Sequence, residues 1–270
     1  MIIVGTSRNA VQDSLTGAPR YAHPVLRLIT ESVDPPALDT AVSTAILRLV
    51  GLGDAPPTLR LFVPRRSVAF GRQDSVNPGF PRAVDAARAA GFTPIERLAG
   101  GKAATFHEGT IAFAWAMPDD RPRASITARF EAISAIVADA LGLVGVDARV
   151  GEVPGEYCPG AYSVNARGVR KLMGVGQRLV RGATHVGGVV VAERSDLVNV
   201  PLIPAYAALG YAWDPAATGA VNDEVDTGVG EVGNALRDAF SRAGHDLVET
   251  PLDPAILSLA RTLSASHEIA

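Results

Sequence analysis

A chain of 270 residues, 47% apolar and 20% charged, is long enough to bury a sizeable core and has the composition of an ordinary globular protein. Its net charge of −3, with no basic block, argues against a nucleic-acid partner, and no apolar run reaches the roughly 18 to 20 residues that a membrane span needs. The start, Met1 to Arg8, lacks the apolar run and basic leader of a signal peptide, and a single cysteine cannot close an internal disulfide; together these imply a reducing, cytoplasmic setting.

Residues 1 to 33 are weakly patterned, with His23 read as a surface histidine and His23 to Ile29 as an edge strand. A helix is then well signalled: Asp34 is a candidate N-cap, Pro35 and Pro36 suit the first helical positions, and apolar pairs from Ala37/Leu38 to Leu49/Val50 recur every three to four residues before Gly51 and Gly53. Strands are expected at Leu59 to Val63 and Ser67 to Phe70, then a polar loop from Gly71 to Ser75. Arg72 in that loop is either solvated or a contact at the mouth of a site. Residues 81 to 90 read as a short helix and Phe92 to Arg97 as a strand. The loop that follows carries Gly100-Gly101, which can let backbone approach a ligand or simply turn a hairpin. Lys102 tempts a phosphate-loop reading, but that pattern needs glycine where Glu96 stands and Ser or Thr where Ala103 stands. His107, at the start of a buried strand from Thr110 to Met117, is either a site residue or a hydrogen-bonded structural one.

A long helix is expected from Ser125 to Leu141, with Ile126, Phe130, Ile133, Ile136/Val137 and Ala140/Leu141 as its buried stripe, and a strand at Asp147 to Val150. Asn165 to Gly168 has the composition of a hairpin turn, and strands at 171 to 180 and 185 to 192 pair antiparallel, with His185 a bystander. Helices follow at 201 to 210, roughly Glu231 to Ala243, and 254 to 266 after Asp253.

The segment Gly151 to Gly188 holds the chemistry. Cys158 lies between Pro154-Gly155 and Pro159-Gly160, which prevent helix and interrupt strand, so it belongs on a tight loop. Lys171 follows on a strand that would hold it in a fixed direction. Single cysteines are often inert buried apolar residues. A free thiol titrates near ~8.5, and a neighbouring cation such as Lys171 would favour the thiolate and hold a substrate carbonyl. No Cys-x-x-Cys or His-x-x-x-His pair suggests a metal, and the G-x-S-x-G hydrolase elbow is missing.

Tyr157-Cys158-Pro159-Gly160 and the Lys171, Gly174, Gln177, Arg178 pattern resemble the bacterial lipoate–protein ligase/octanoyltransferase superfamily, and within it the cysteine-dependent branch that moves octanoyl groups between lipoyl-domain proteins. The helix at 35 to 50, the Leu59 strand, Gly71-Arg72 and Arg97-Leu98-Ala99-Gly100-Gly101 fall in that family's order, so the resemblance covers roughly 30 to 245. Lys102 stands where family ligases usually have a third loop glycine, and the 25 residues beyond 245 leave no room for the accessory domain of many ATP-dependent ligases.

The resemblance implies one catalytic α/β domain with a mixed, largely antiparallel sheet flanked by helices. It implies transfer of an octanoyl or lipoyl group through a Cys158 thioester, with Lys171 at the acyl carbonyl. Gly100, Gly101 and Gly174 would line the substrate site, with Arg72, His107 and Gln177 as lesser candidates at its mouth. The implied partners are the glycine-cleavage H protein, E2 lipoyl domains and acyl carrier protein, with no cofactor. The rivals are an ATP-dependent lipoate ligase, a non-catalytic acyl-binding or regulatory protein, and a biotin-type ligase in which Cys158 has no role.

Overall fold

The computed structural model describes residues 25–270; His23 and the N-terminal leader question lie outside the described residues. In chain order the elements are β1 (Leu26–Ile29), α1 (Pro36–Leu52), β2 (Thr58–Phe62), β3 (Ser67–Phe70), the single turn α2 (Arg72–Ser75), α3 (Phe80–Ala89) and β4 (Thr93–Glu96). Then come β5 (Ala104–Phe106), β6 (Thr110–Pro118), α4 (Ile126–Leu143), β7 (Ala148–Val150), β8 (Val164–Ala166), β9 (Arg170–Val180) and β10 (Ala183–Val191). The remainder is α5 (Ser195–Leu209), α6 (Val229–Arg242), β11 (Leu247–Glu249) and α7 (Pro254–Leu263).

Eight strands form one sheet in the order β11-β1-β2-β6-β10-β9-β8-β7, antiparallel throughout except for the two pairs made by β1. β4, β3 and β5 form a second, smaller sheet. Both faces of the large sheet are covered, α4 and α6 packing on one and α1 and α7 on the other. That double cover is why β6 is buried from Thr110 to Met117 and reads as a near-continuous apolar run. The small sheet packs against α3 and α5 around Val68, Phe70, Leu202 and Tyr206. Among the described residues no helix is long and apolar enough to cross a membrane.

The mixed, largely antiparallel sheet matches the expectation, and several elements differ for local reasons. β1 is interior, because β11, some 220 residues later, pairs with it in parallel. The N-cap of α1 is Pro35, so the helix starts one residue later than Asp34 would place it. Gly71 to Ser75 closes into a helical turn because the Asp74 carboxylate accepts from Gly71 N at 2.7 Å. α5 begins six residues before Pro201 and contains Pro201 and Pro204; its apolar face of Leu197, Val198, Leu202, Ala205 and Leu209 outweighs the two missing donors. At the turn between β8 and β9, Arg167 and Gly168 have φ of 54° and 77°, as the hairpin reading requires.

α1 is tied to β2 by an ion pair between two almost fully buried groups. Arg60 Nη2 lies 2.5 Å from Asp39 Oδ1, and the same guanidinium donates to Ser43 Oγ and to the backbone oxygens of Asp39 and Glu31. Removing one partner leaves the other charged and dry. Asp39→Ala is therefore expected to cost about 3–5 kcal/mol in chemical denaturation, whereas breaking the exposed Arg149–Asp147 pair should cost under about 1 kcal/mol.

Candidate active site

Cys158 sits on the loop between β7 and β8 in the left-handed region, φ 42°, a conformation held by bonds on every side. Its N–H donates to Tyr206 Oη at 3.0 Å, and that hydroxyl donates to Ala103 O at 2.9 Å, linking the cysteine loop to the end of the diglycine loop. Burial pushes the Tyr206 phenol up from its ordinary value, which keeps the donor protonated. Glu156, buried beneath the loop, accepts from Val153 N, Gly160 N, Ser163 Oγ and Lys171 Nζ.

The Cys158 sulfur faces the diglycine loop. Lys102 N–H donates to it at 3.2 Å and Arg97 Nη1 stands 3.8 Å away, itself donating to Lys102 O at 2.7 Å. Gly101 has φ +124°, and a Cβ there would come within 2.7 Å of Arg97 Nη1 and 3.0 Å of Sγ. The conformation favours glycine, and a side chain there would displace the Arg97 guanidinium from the sulfur. The Lys102 ammonium is turned away over the Tyr211 ring, 4.3 Å from its centre, so this residue offers the sulfur its backbone and not its charge.

Lys171 is placed differently from the expectation. A bulge where β8 meets β9 leaves Lys171, Leu172 and Met173 buried in succession. Lys171 Nζ donates to Glu156 Oε1 at 2.9 Å, Tyr157 O at 2.9 Å and Cys158 O at 2.8 Å. An ammonium has three donors and all three are committed. The cation facing the sulfur is Arg97, while Lys171 grips the backbone behind it.

A cavity of about 470 Å³ opens beside the sulfur, within the range of small-molecule sites. Cys158, Gly100, Gly101, Lys171, Gly174 and Gln177 all line it, with Ile126, Phe130, Tyr162, Val175 and Leu179 forming much of its apolar wall. Ile126 and Phe130, expected in the buried stripe of α4, are only partly buried and face this cavity, where the Phe130 ring stacks on Tyr162 at 5.0 Å. Gln177 is wall and not mouth: its amide donates to Ile126 O and accepts from Arg129 Nε, both at 2.8 Å. A smaller cavity of about 90 Å³, lined in part by His185, shares Arg97, Phe106 and Gly188 with the larger one.

Arg72 is exposed on α2 and lines neither cavity. His107 is fully buried, accepts from Gly109 N at 3.0 Å through Nδ1, and also lines neither. Sequence reasoning gave no role to Arg97, to the Lys102 N–H, to Glu156 or to Tyr206. An arginine at a strand end just before Gly-Gly was the one available signal; the other three depend on contacts across 48 to 103 residues or on a carboxylate that reads as surface.

A family model for the lipoyl protein ligase A/B catalytic domain matches residues 35–203. The chain belongs to that family. Relatives of this family member include the octanoyl-[GcvH]:protein N-octanoyltransferase of Geobacillus kaustophilus, 29% identical over 69% of this chain and 67% of that one. The enzyme of the same name from Bacillus velezensis is 30% identical over 67% of this chain and 64% of its own length. The chain thus spans about two thirds of these relatives. A lipoate protein ligase from T. acidophilum, solved with bound lipoic acid, superposes with a TM-score of 0.69 at 26% identity, covering 90% of this chain and 95% of that one. The fold expected from the motifs is the fold of this family.

Two predictions come from the buried groups. Burial holds His107 at about 4 and His185 at about 3, against 6.5 when exposed. As pH falls below 6.5 the unfolded chain takes up both protons, while the native protein takes up that of His107 only near pH 4 and that of His185 only near pH 3. The stability these groups contribute above pH 6.5 is therefore lost progressively down to about pH 3. In urea titrations each such proton should steepen the loss by up to about 1.4 kcal/mol per pH unit; His107→Asn and His185→Asn should flatten it. Second, Lys171→Met leaves Glu156 charged and buried without its cation, so a loss of about 3–5 kcal/mol in stability should accompany any loss of activity.

Proposed function

We propose that this chain transfers an octanoyl (or lipoyl) group to the lysine of a lipoyl-carrier domain through a thioester on Cys158, within one catalytic domain. The observation that carries the reading is the setting of that sulfur: a strained loop holds it against an N–H donor and a guanidinium, at the edge of an apolar cavity. The names of its relatives support octanoyl transfer and favour GcvH, the glycine-cleavage H protein, as donor in preference to acyl carrier protein.

Cys158 Sγ attacks the acyl carbonyl carbon. The C–S bond forms, the donor's amide C–N bond breaks, and the released lysine amine takes the thiol's proton. The acceptor lysine's amine then attacks the thioester; a new C–N bond forms, C–S breaks, and the sulfur regains a proton. Splitting the reaction this way means that two protein partners need never occupy the site together. The Lys102 N–H and the Arg97 guanidinium, the donors that contact the sulfur, would be available to the oxygen of an acyl group bonded to it, where negative charge develops. Lys171 acts by holding the carbonyls of Tyr157 and Cys158, which sets the direction of Sγ. The acyl chain lies in the apolar cavity, where about 0.8 kcal/mol per buried CH₂ supplies several kcal/mol of binding. Nothing in these steps calls for a nucleotide, and a cytoplasmic setting suits the free thiol.

Intact mass spectrometry after exposure to octanoylated H protein and to octanoyl-acyl carrier protein tests the reading. One octanoyl group should appear on the native protein, from H protein above all, and on neither Cys158→Ala nor Cys158→Ser. Modification of an apo lipoyl domain only with ATP and lipoate, with no acyl adduct on the enzyme, would establish the ligase instead. No adduct and no transfer would leave a binding protein.

A further inference from the structure

The C-terminal segment lies outside the stretch matched by the family and folds back onto the strand that delivers Arg97. β4 is an edge of the small sheet, and Glu268 makes an antiparallel bridge with Ile95 on its open side. Glu96 N donates to His267 O at 3.0 Å, His267 Nδ1 lies 2.8 Å from Glu96 O, and His267 Nε2 lies 2.8 Å from Thr44 Oγ1 on α1. Arg88 Nη2 donates to Ile269 O at 3.0 Å beyond them. A carbonyl oxygen only accepts, so Nδ1 carries the proton; burial holds His267 below its ordinary value and keeps the ring neutral, and Nε2 at 2.8 Å competes with the longer contact to Thr40 O at 3.2 Å for the single Thr44 hydroxyl proton. His267 is 5% exposed. Its ring therefore wedges the end of β4 against α1.

The next residue is Arg97, whose N–H donates to Phe70 O on the inner side at 2.9 Å. The chain is thus gripped from both edges immediately before the guanidinium that faces Cys158. We propose that His267 is a positioning residue, and that residues 264 to 270 form a strap that sets Arg97 against the Cys158 sulfur. The consequence for acyl transfer rests on the function proposed above; the consequence for the sulfur does not.

Because Cys158 is the only cysteine, iodoacetamide reads that sulfur alone. A cation beside a thiol favours the reactive thiolate. At pH 7, His267→Ala and deletion of Ser264 to Ala270 are expected to slow alkylation roughly tenfold, as is Arg97→Ala. The double variant Arg97→Ala/His267→Ala should be no slower than Arg97→Ala alone. His267→Asn, which keeps a donor for Glu96 O, should recover most of the rate, and Thr44→Val should fall between. Wild-type alkylation in a folded His267→Ala protein would overturn the proposal, as would effects that multiply in the double variant. If His267→Ala does not fold, an unaltered rate in both Thr44→Val and the deletion would overturn it equally. Loss of octanoyl transfer with alkylation unchanged would count against the strap; absence of transfer in the wild type, with the alkylation pattern as expected, would count against the transferase reading alone.

Discussion

The buried ion pair between Glu156 and Lys171 is the contact on which the site depends. A loop without regular hydrogen bonding must find partners for its backbone elsewhere, or leave polar groups dry and unpaired. Here one carboxylate takes two backbone N–H groups and a serine hydroxyl, and one ammonium takes two carbonyls, with the two charges 2.9 Å apart. An isolated buried pair is a weak source of stability. This one is different in having every donor and acceptor assigned, so that its geometry admits little variation. The left-handed cysteine is a consequence: its own carbonyl is held by Lys171 and its N–H by Tyr206, which leaves the side chain one direction.

That direction is set by two loops of unlike character. The cysteine loop is anchored from below by charges and the diglycine loop from its flanks by strands, and they meet at a sulfur, an N–H and a guanidinium. Tyr206 is the strut between them, bonding to one loop and to the end of the other. It stands on α5, within the stretch that the sequence already marks as helical, and the six residues that the structure adds before Pro201 complete the helix that carries it.

Much of this was legible in the sequence, and the rest was not for identifiable reasons. The Pro-Gly brackets announced a kinked loop at Cys158, because those residues act locally. The β9–β10 pairing was readable from alternation, and Gly168 from its turn. The identity of the cation at the sulfur was not. Lys171 is 13 residues from Cys158 and Arg97 is 61 residues away, and proximity in sequence favoured the wrong one as the facing charge. Strand β1 reads as an edge because its outer neighbour is three residues long and comes near the end of the chain. His107 and Arg72 carried the residue types of a site without its location; burial claimed one and solvent the other.

The cavity itself shows how a periodic stripe can serve two ends. Ile133, Val137, Ala140 and Leu141 of α4 lie in the main core, while Ile126 and Phe130, on the same stripe one and two turns earlier, wall the cavity. What separates the two halves is a polar lock at the start of the helix. Arg129 bonds Asp119 and Pro122 O on one side and Gln177 on the other, and Gln177 bonds back to Ile126 O. The first turn of α4 is thereby held at a set distance from β9, and the space between them persists as a built apolar room. A thioester is open to water as well as to an amine. On the function proposed above, a sulfur beside such a room, with its polar contacts already satisfied by protein groups, would give the acyl group a shelter in which hydrolysis is disfavoured until the acceptor lysine arrives.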